Sequence, residues 1–358
     1  MKAFGIGCFN FGISDPRKNT LSIKAYITHL KNTLKKISAI ENIAIDCAED
    51  DTLIVISGDE QNAFPHFEFL NISFIVNITE NVQSELVGYS IQNVERFKVS
   101  IRHNFYMPVA FVECLNESYS NMTPADGVQI VREFLSREIP KANSFITFES
   151  LGPSPFHLEL YVDESKDPIL DKILSTEVEN SAYNTITFLF DNNYFSTIEE
   201  ATQYIYDEIQ SEIDVFYKIV FNNVEQMKKW SDINKDIYVL MEMEKSKGFI
   251  TRMKNKYSSY HLRNKILQEL YLFKAHDELC RNDIDRTFNC EYKGVANKHL
   301  KAHVQNEKDE VDKYPITSII EWLKHKEDNS IKIFDIFSRA ATAILGGVIG
   351  GLITYWFK

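Results

Sequence analysis

The placing of helix breakers constrains this chain more than any other feature. Eight of its nine prolines fall within residues 1–168, and neither glycine nor proline occurs between Ser196 and Lys247 or between Phe249 and Lys293. Proline removes a backbone donor and clashes inside a helix, and an interior glycine costs a helix about 1 kcal/mol relative to alanine. Long stretches free of both read as helix. The punctuated first half reads as short strands joined by turns. The expected fold is an α+β domain over residues 1–190, then an all-helical domain over 191–330, then a single C-terminal transmembrane helix within 331–358.

Apolar or alternating runs predict strands near 3–9, 42–47, 52–57, 69–78, 95–102, 108–115, 144–150, 156–162 and 183–190. Two amphipathic helices interrupt them. One covers 21–38, and the other covers 124–138, with Thr123 as cap and Pro124 in its first turn. The order strand, helix, strands occurs over 3–78 and again over 108–190, which suggests two similar units. Cys8-Phe9-Asn10 and Cys114-Leu115-Asn116 end the strand before the helix in each. In the helical half, Ser196 and Glu199 form a capping box. Ile198, Ala201, Ile205, Ile209 and Ile213 then begin a three-and-four spacing that runs to Met227. It predicts a long helix over 196–230 that continues past a bend, a second over 249–282, and a short one over 316–326.

The segment Ala340–Phe357 is uncharged over eighteen residues. As a helix it spans about 27 Å, close to the hydrocarbon thickness of a bilayer. Tyr355, Trp356 and Phe357 stand at one end as interfacial aromatics do, and Arg339 marks the other. Gly346 with Gly350, and Ala343 with Gly347 and Gly351, form two small-residue ladders, a pattern that lets membrane helices approach closely. Lys324, Lys326, Lys332 and Arg339 precede the segment and Lys358 alone follows it, so the body is expected on the cytoplasmic side. At the other end, Asn10 and Ser14-Asp15-Pro16 interrupt the apolar run, so residues 3–9 read as a buried strand rather than a secretory leader.

Lys and Arg number 39 against 51 Asp and Glu, a net −12, which makes a general nucleic-acid coat an unlikely partner surface. Five cysteines without a C-x-x-C pair favour a reducing compartment over a disulfide scaffold. The chain has no G-x-x-x-x-G-K-[ST], G-x-S-x-G or H-E-x-x-H motif.

The densest chemical grouping is His276, Cys280, Cys290, His299 and His303. His276 and Cys280 are four residues apart, as are His299 and His303, so on helices each pair would share one face, and two such pairs facing each other could supply a tetrahedral zinc site, although no standard zinc spacing is matched. Ordinary thiols and surface histidines on a helical hairpin account for the same residues. His261, His276 and Asp277 also admit metal-dependent phosphohydrolysis. Residues 191–244 carry four basic and twelve acidic residues, whereas 245–268 carry seven basic and none acidic. Arg252, Lys254, Lys256, Arg263 and Lys265 could hold an anionic ligand or lipid headgroup, or the basic helix could pack antiparallel on the acidic one. Two functions follow. In one, the body senses a ligand or partner while the tail self-associates and acts on the bilayer, a layout shared with prokaryotic defence and toxin effectors. In the other, the tail merely tethers an enzyme or binding module.

Overall fold

The computed structural model describes residues 1–14, 22–47, 56–58, 62–65, 67, 69–91, 93–103, 107–115, 123–143, 145–151, 158–179, 184–245, 249–293, 298–310 and 314–325, with backbone alone at 56–58, 62–65, 244 and 249–257. In order these form β1 (Lys2–Ser14), α1 (Ile23–Lys36), β2 (Ile40–Cys47), β3 (Ile56–Gly58), β4 (Asn62–Pro65), β5 (Leu70–Asn77), α2 (Glu80–Val87), β6 (Arg96–His103), β7 (Val109–Cys114) and α3 (Pro124–Ala142). There follow β8 (Ile146–Leu151), β9 (Leu158–Glu164), β10 (Ile173–Val178), β11 (Asn184–Phe190), α4 (Ile198–Lys245), α5 (Phe249–Tyr292), α6 (Lys301–Asp309) and a further helix, α7, over 316–325. The expected α+β half and helical half are both present. The expected membrane segment, with Ala343, Gly346, Gly347, Gly350 and Gly351, lies outside the described residues. Among the described residues no helix is long and apolar enough to cross a membrane.

The chain divides into two compact units, Met1–Asn222 with Asp283–Glu310, and Asn223–Asn282 with Val311–Lys358. In the first unit a mixed sheet runs in the order β10-β11-β9-β1-β7-β6-β5-β2, with β4 and β8 also paired to β1 and β3 to β4. The β9–β11 pair is parallel, and the other pairings are antiparallel.

Strand β1 explains the layering. Successive side chains of a strand point to opposite faces. Phe4, Ile6 and Cys8 therefore enter a core shared with Phe188, Ile205, Tyr206 and Ile209, while Phe9, Phe11 and Ile13 enter another shared with Leu30, Leu34, Val131 and Leu135. Gly5 and Gly7 lie where α3 crosses. A Cβ on Gly5 would stand 2.3 Å from the Pro124 carbonyl oxygen, and one on Gly7 would stand 2.9 Å from Val128 Cγ1. The two glycines admit the helix, and the apolar residues around them fill both faces.

Three differences from the sequence reading have local causes. Helix α3 runs through Pro140 to Ala142 because the proline falls in the last turn, where one backbone bond is lost and Ile139 remains buried. Strand β10 was not foreseen: only Ile173 of its six residues is buried, so it carries no clear alternation. Met227, expected on the apolar stripe of α4, is 54% exposed, because past Ile219 the buried positions become Gln226, Ile233, Ile237 and Leu240.

Helix α4 is fixed to the sheet by a buried polar cluster. Glu113 of β7 is 1% exposed, with Lys2 Nζ 2.8 Å from Oε2 and Lys98 Nζ 3.3 Å from Oε1. The hydroxyl of Tyr206 donates to Oε1 at 3.0 Å. Burial pushes the Glu113 carboxyl up, but the two ammonium groups and the phenol outweigh it and hold the carboxyl below its ordinary value. Beside it, Arg102 donates to Gln203 at 2.9 Å and to Asp207. Tyr206 stacks on Phe111 with ring centroids 3.9 Å apart.

In the second unit, Ile233, Ile237, Leu240, Ile266, Leu270 and Phe273 of α4 and α5 pack with Ile316, Ile320 and Leu323 of α7. Trp230 lies 5.0 Å from Tyr314 and 5.6 Å from Phe273, ring centre to ring centre.

Removing Glu113 would leave two ammonium groups and a phenol without their acceptor. Glu113→Ala should lower the unfolding free energy by about 3–5 kcal/mol, the usual cost of breaking a buried ion pair from one side. Denaturant titration at neutral pH measures it. The contribution should vanish on acidification below about 4.5, as the pH falls through the carboxyl's lowered folded value.

Candidate functional site

An open cleft of about 480 Å³ lies in the first unit, lined by Asp171–Ser175, by Tyr204 and Glu208 of α4, and by Lys298 and His299 ahead of α6. Its walls come from three distant parts of the chain, and interior polar groups hold them in place. Glu212 is fully buried, one turn beyond Glu208 on α4. Its two carboxylate oxygens accept the backbone N–H groups of His299 and Leu300, each at 3.0 Å. They thereby fix the two residues just ahead of α6. Lys298 donates to Glu291 at 2.6 Å and to Ser211 at 3.3 Å.

These bonds fix His299 against β10. Its Nδ1 lies 3.0 Å from Ser175 Oγ, and its ring meets the edge of Phe188 at 5.4 Å. Burial lowers the His299 pKa. Glu208 pulls the other way, and the Lys298 charge adds to the lowering. The imidazole is therefore neutral near pH 7. One turn on, His303 Nε2 lies 3.2 Å from Glu177. Lys172 holds its ammonium 5.2 Å from the centre of the Tyr204 ring. Burial, then the Glu208 carboxylate, raises the Tyr204 pKa. The cleft thus combines an alcohol, a phenol, a neutral imidazole, two carboxylates and two ammonium groups.

The other expected site residues fall elsewhere. His276 and Cys280 share a face of α5 in the second unit, with Cys280 Sγ 3.3 Å from His276 Nδ1. Lys229 Nζ lies 2.9 Å from His276 Nε2, and an ammonium only donates. Nε2 must then accept, which leaves the ring proton on Nδ1. Gln226 Nε2 stands 2.6 Å from that Nδ1, while its Oε1 is buried without a partner. Exchanging the amide's oxygen and nitrogen resolves both faults, since Oε1 then accepts from Nδ1–H. In that network the imidazole is a donor towards Cys280 and cannot take a proton from it. His299 and His303 belong to the first unit. Among the described residues no group of three or more His, Cys, Asp or Glu side chains is placed to hold a metal ion, so the four-ligand zinc set is not assembled there. Asp277 is engaged by Arg281 at 2.9 Å, and Cys290 is exposed.

Of the basic stretch, Arg252, Lys254 and Lys256 fall in the first turns of α5 and their side chains lie outside the described residues. Arg263 is buried, and Lys265 pairs with Asp236 of the acidic helix at 2.6 Å. Nearer the other end of α5, Asp283 pairs with Lys218 at 2.8 Å. The Lys265–Asp236 bond joins the basic stretch to the acidic helix, whereas in the Lys218–Asp283 bond the base sits on the acidic stretch and the acid lies beyond the basic one.

Sequence reasoning selected His299 as a metal ligand and missed Ser175. The two are 124 positions apart, and no motif joins them. Protein-family models, curated proteins and solved structures yield no match to this chain.

Burial raises the Glu212 carboxyl from 4.5 to about 7, against the opposing pull of the Leu300 N–H, the Lys298 charge, Tyr292 and the His299 N–H. Between those values the folded chain keeps a proton that the unfolded chain releases, so this group's contribution to stability is full below about 4.5 and is lost as the pH rises through about 7. His299 acts in the opposite sense, and subtraction removes it. The stability of wild type minus that of Glu212→Gln, from denaturant titrations at pH 5 and pH 7.5, should fall as the pH rises. A pH-independent difference would contradict the assignment.

Proposed function

We propose that this chain is a single-pass membrane protein anchored by residues 331–358. Its cytosolic body responds to a small ligand or a partner protein, and its glycine-rich segment joins other copies in the bilayer and acts on the membrane. The observation that carries this reading is the uncharged run Ala340–Phe357 with its two small-residue ladders. The cleft beside Ser175 and His299 supports it by supplying a place for a small polar trigger. The layout is that of prokaryotic defence and toxin effectors, an analogy of arrangement alone.

A second reading keeps the anchor and makes the body an enzyme. The Ser175–His299 contact over a solvent-open cleft favours it. Exchanging residues 331–358 for an unrelated apolar helix separates the two readings, since an effector loses its action on the membrane and a tethered enzyme keeps its activity.

Two measurements test the anchor. The full chain should sediment with membranes and resist carbonate extraction, whereas a chain ending at Asn329 should remain in the supernatant. Full-length protein in the supernatant would refute it. Gly347→Ile with Gly351→Ile keeps the segment apolar and blocks close helix approach. Cross-linked species and membrane permeabilisation should fall together in that variant while insertion persists.

A further inference from the structure

We infer that Ser175 and His299 are the nucleophile and general base of a hydrolytic site for small carboxylic esters. The geometry comes first. Ser175 Oγ and His299 Nδ1 are 3.0 Å apart, within the reach required of a nucleophile and its base. Both line the same cleft as Glu208, and its size suits a small molecule. With Nδ1 accepting the serine proton, the ring proton stands on Nε2. Attack turns the ring into an imidazolium.

The pair is also built into the fold. His299 is held at its backbone by the buried Glu212 and at its ring edge by Phe188, and Ser175 stands in register opposite Phe188 in the β10–β11 ladder. Glu212 is a positioning residue, because it reaches the site only through His299. Burial keeps the imidazole neutral and able to take a proton near pH 7. Lys298, pinned by Glu291, and Lys172 place positive charge on the cleft wall, where a developing oxyanion would be stabilised.

The reaction balances with water as the only co-reactant. Ser175 Oγ bonds to the ester carbonyl carbon while its proton passes to His299 Nδ1. The bond from carbon to the leaving oxygen breaks, and His299 returns the proton to the departing alcohol. Water then attacks the acyl-serine and gives a proton to His299. The serine–acyl bond breaks, Ser175 regains its proton, and the carboxylic acid leaves.

The test uses the full chain in detergent, so it does not depend on what the 331–358 segment does in a bilayer. The probes are a fluorophosphonate, with the adduct located by peptide mass spectrometry, and p-nitrophenyl acetate. The adduct should form on Ser175 and be absent in Ser175→Ala, and His299→Gln should slow it about 100-fold, as loss of a general base does. Ester turnover should fall in both variants, with melting curves showing that they fold. The wild-type labelling rate should also drop on acidification as the imidazole protonates, a readout that needs no variant. An unmodified Ser175, a rate that does not change with pH, equal labelling in folded His299→Gln, or ester turnover unchanged in Ser175→Ala would each overturn the proposal.

Discussion

A single buried carboxylate sets the geometry of the first unit. Glu113 lies in the middle of the sheet, beneath α4, where an unpaired charge would be prohibitive. Two lysines from neighbouring strands and the phenol of Tyr206 compensate it. Apolar packing tolerates some sliding, whereas these bonds specify one register of α4 on the strands. Tyr206 also presses its ring on Phe111 and against Phe4, so the polar and apolar contacts select the same register.

The cleft follows from that register. With Tyr206 seated, Tyr204 and Glu208 point to one side, and Glu212 comes to lie one turn further along the helix. Glu212 then has two oxygens to satisfy inside the protein, and the N–H groups of His299 and Leu300 meet that need. The same contact holds the backbone of His299, whose ring meets Ser175. Each step satisfies a polar group that burial would otherwise leave unpaired, so the site is a consequence of polar accounting in the core. In the second unit, by contrast, the Gln226, Lys229, His276 and Cys280 network is spent on itself: Lys229 fixes the tautomer of the ring and removes its basicity towards the thiol.

An edge strand such as β10 is an economical place for a nucleophile. Among the described residues only β11 pairs with it, and five of its six residues are not buried. The same property hid it from the sequence, since a strand with one buried residue has no period to read.

Periodicity and breakers, read alone, determined the classes of structure. The absence of glycine and proline over residues 196–247 and 249–293 pointed to the long helices α4 and α5, and the apolar run near the N-terminus pointed to β1, because both signals act locally, through backbone strain and through the faces that side chains occupy. The opposite charges of residues 191–244 and 245–268 likewise foreshadowed the Lys265–Asp236 bond. Spacing grouped His276 with Cys280 on one turn of α5, where four residues make about one helical turn, whereas His299 lies ahead of α6 and only His303 of the second pair is helical. Only tertiary structure decided what those pairs touch. His299 meets a serine 124 positions away and a carboxylate on another helix, and neither contact leaves a trace in local spacing. Burial, which turns Glu113 into an anchor and Glu212 into a carboxyl that titrates near 7, arises only when distant segments close over a group and exclude water from it.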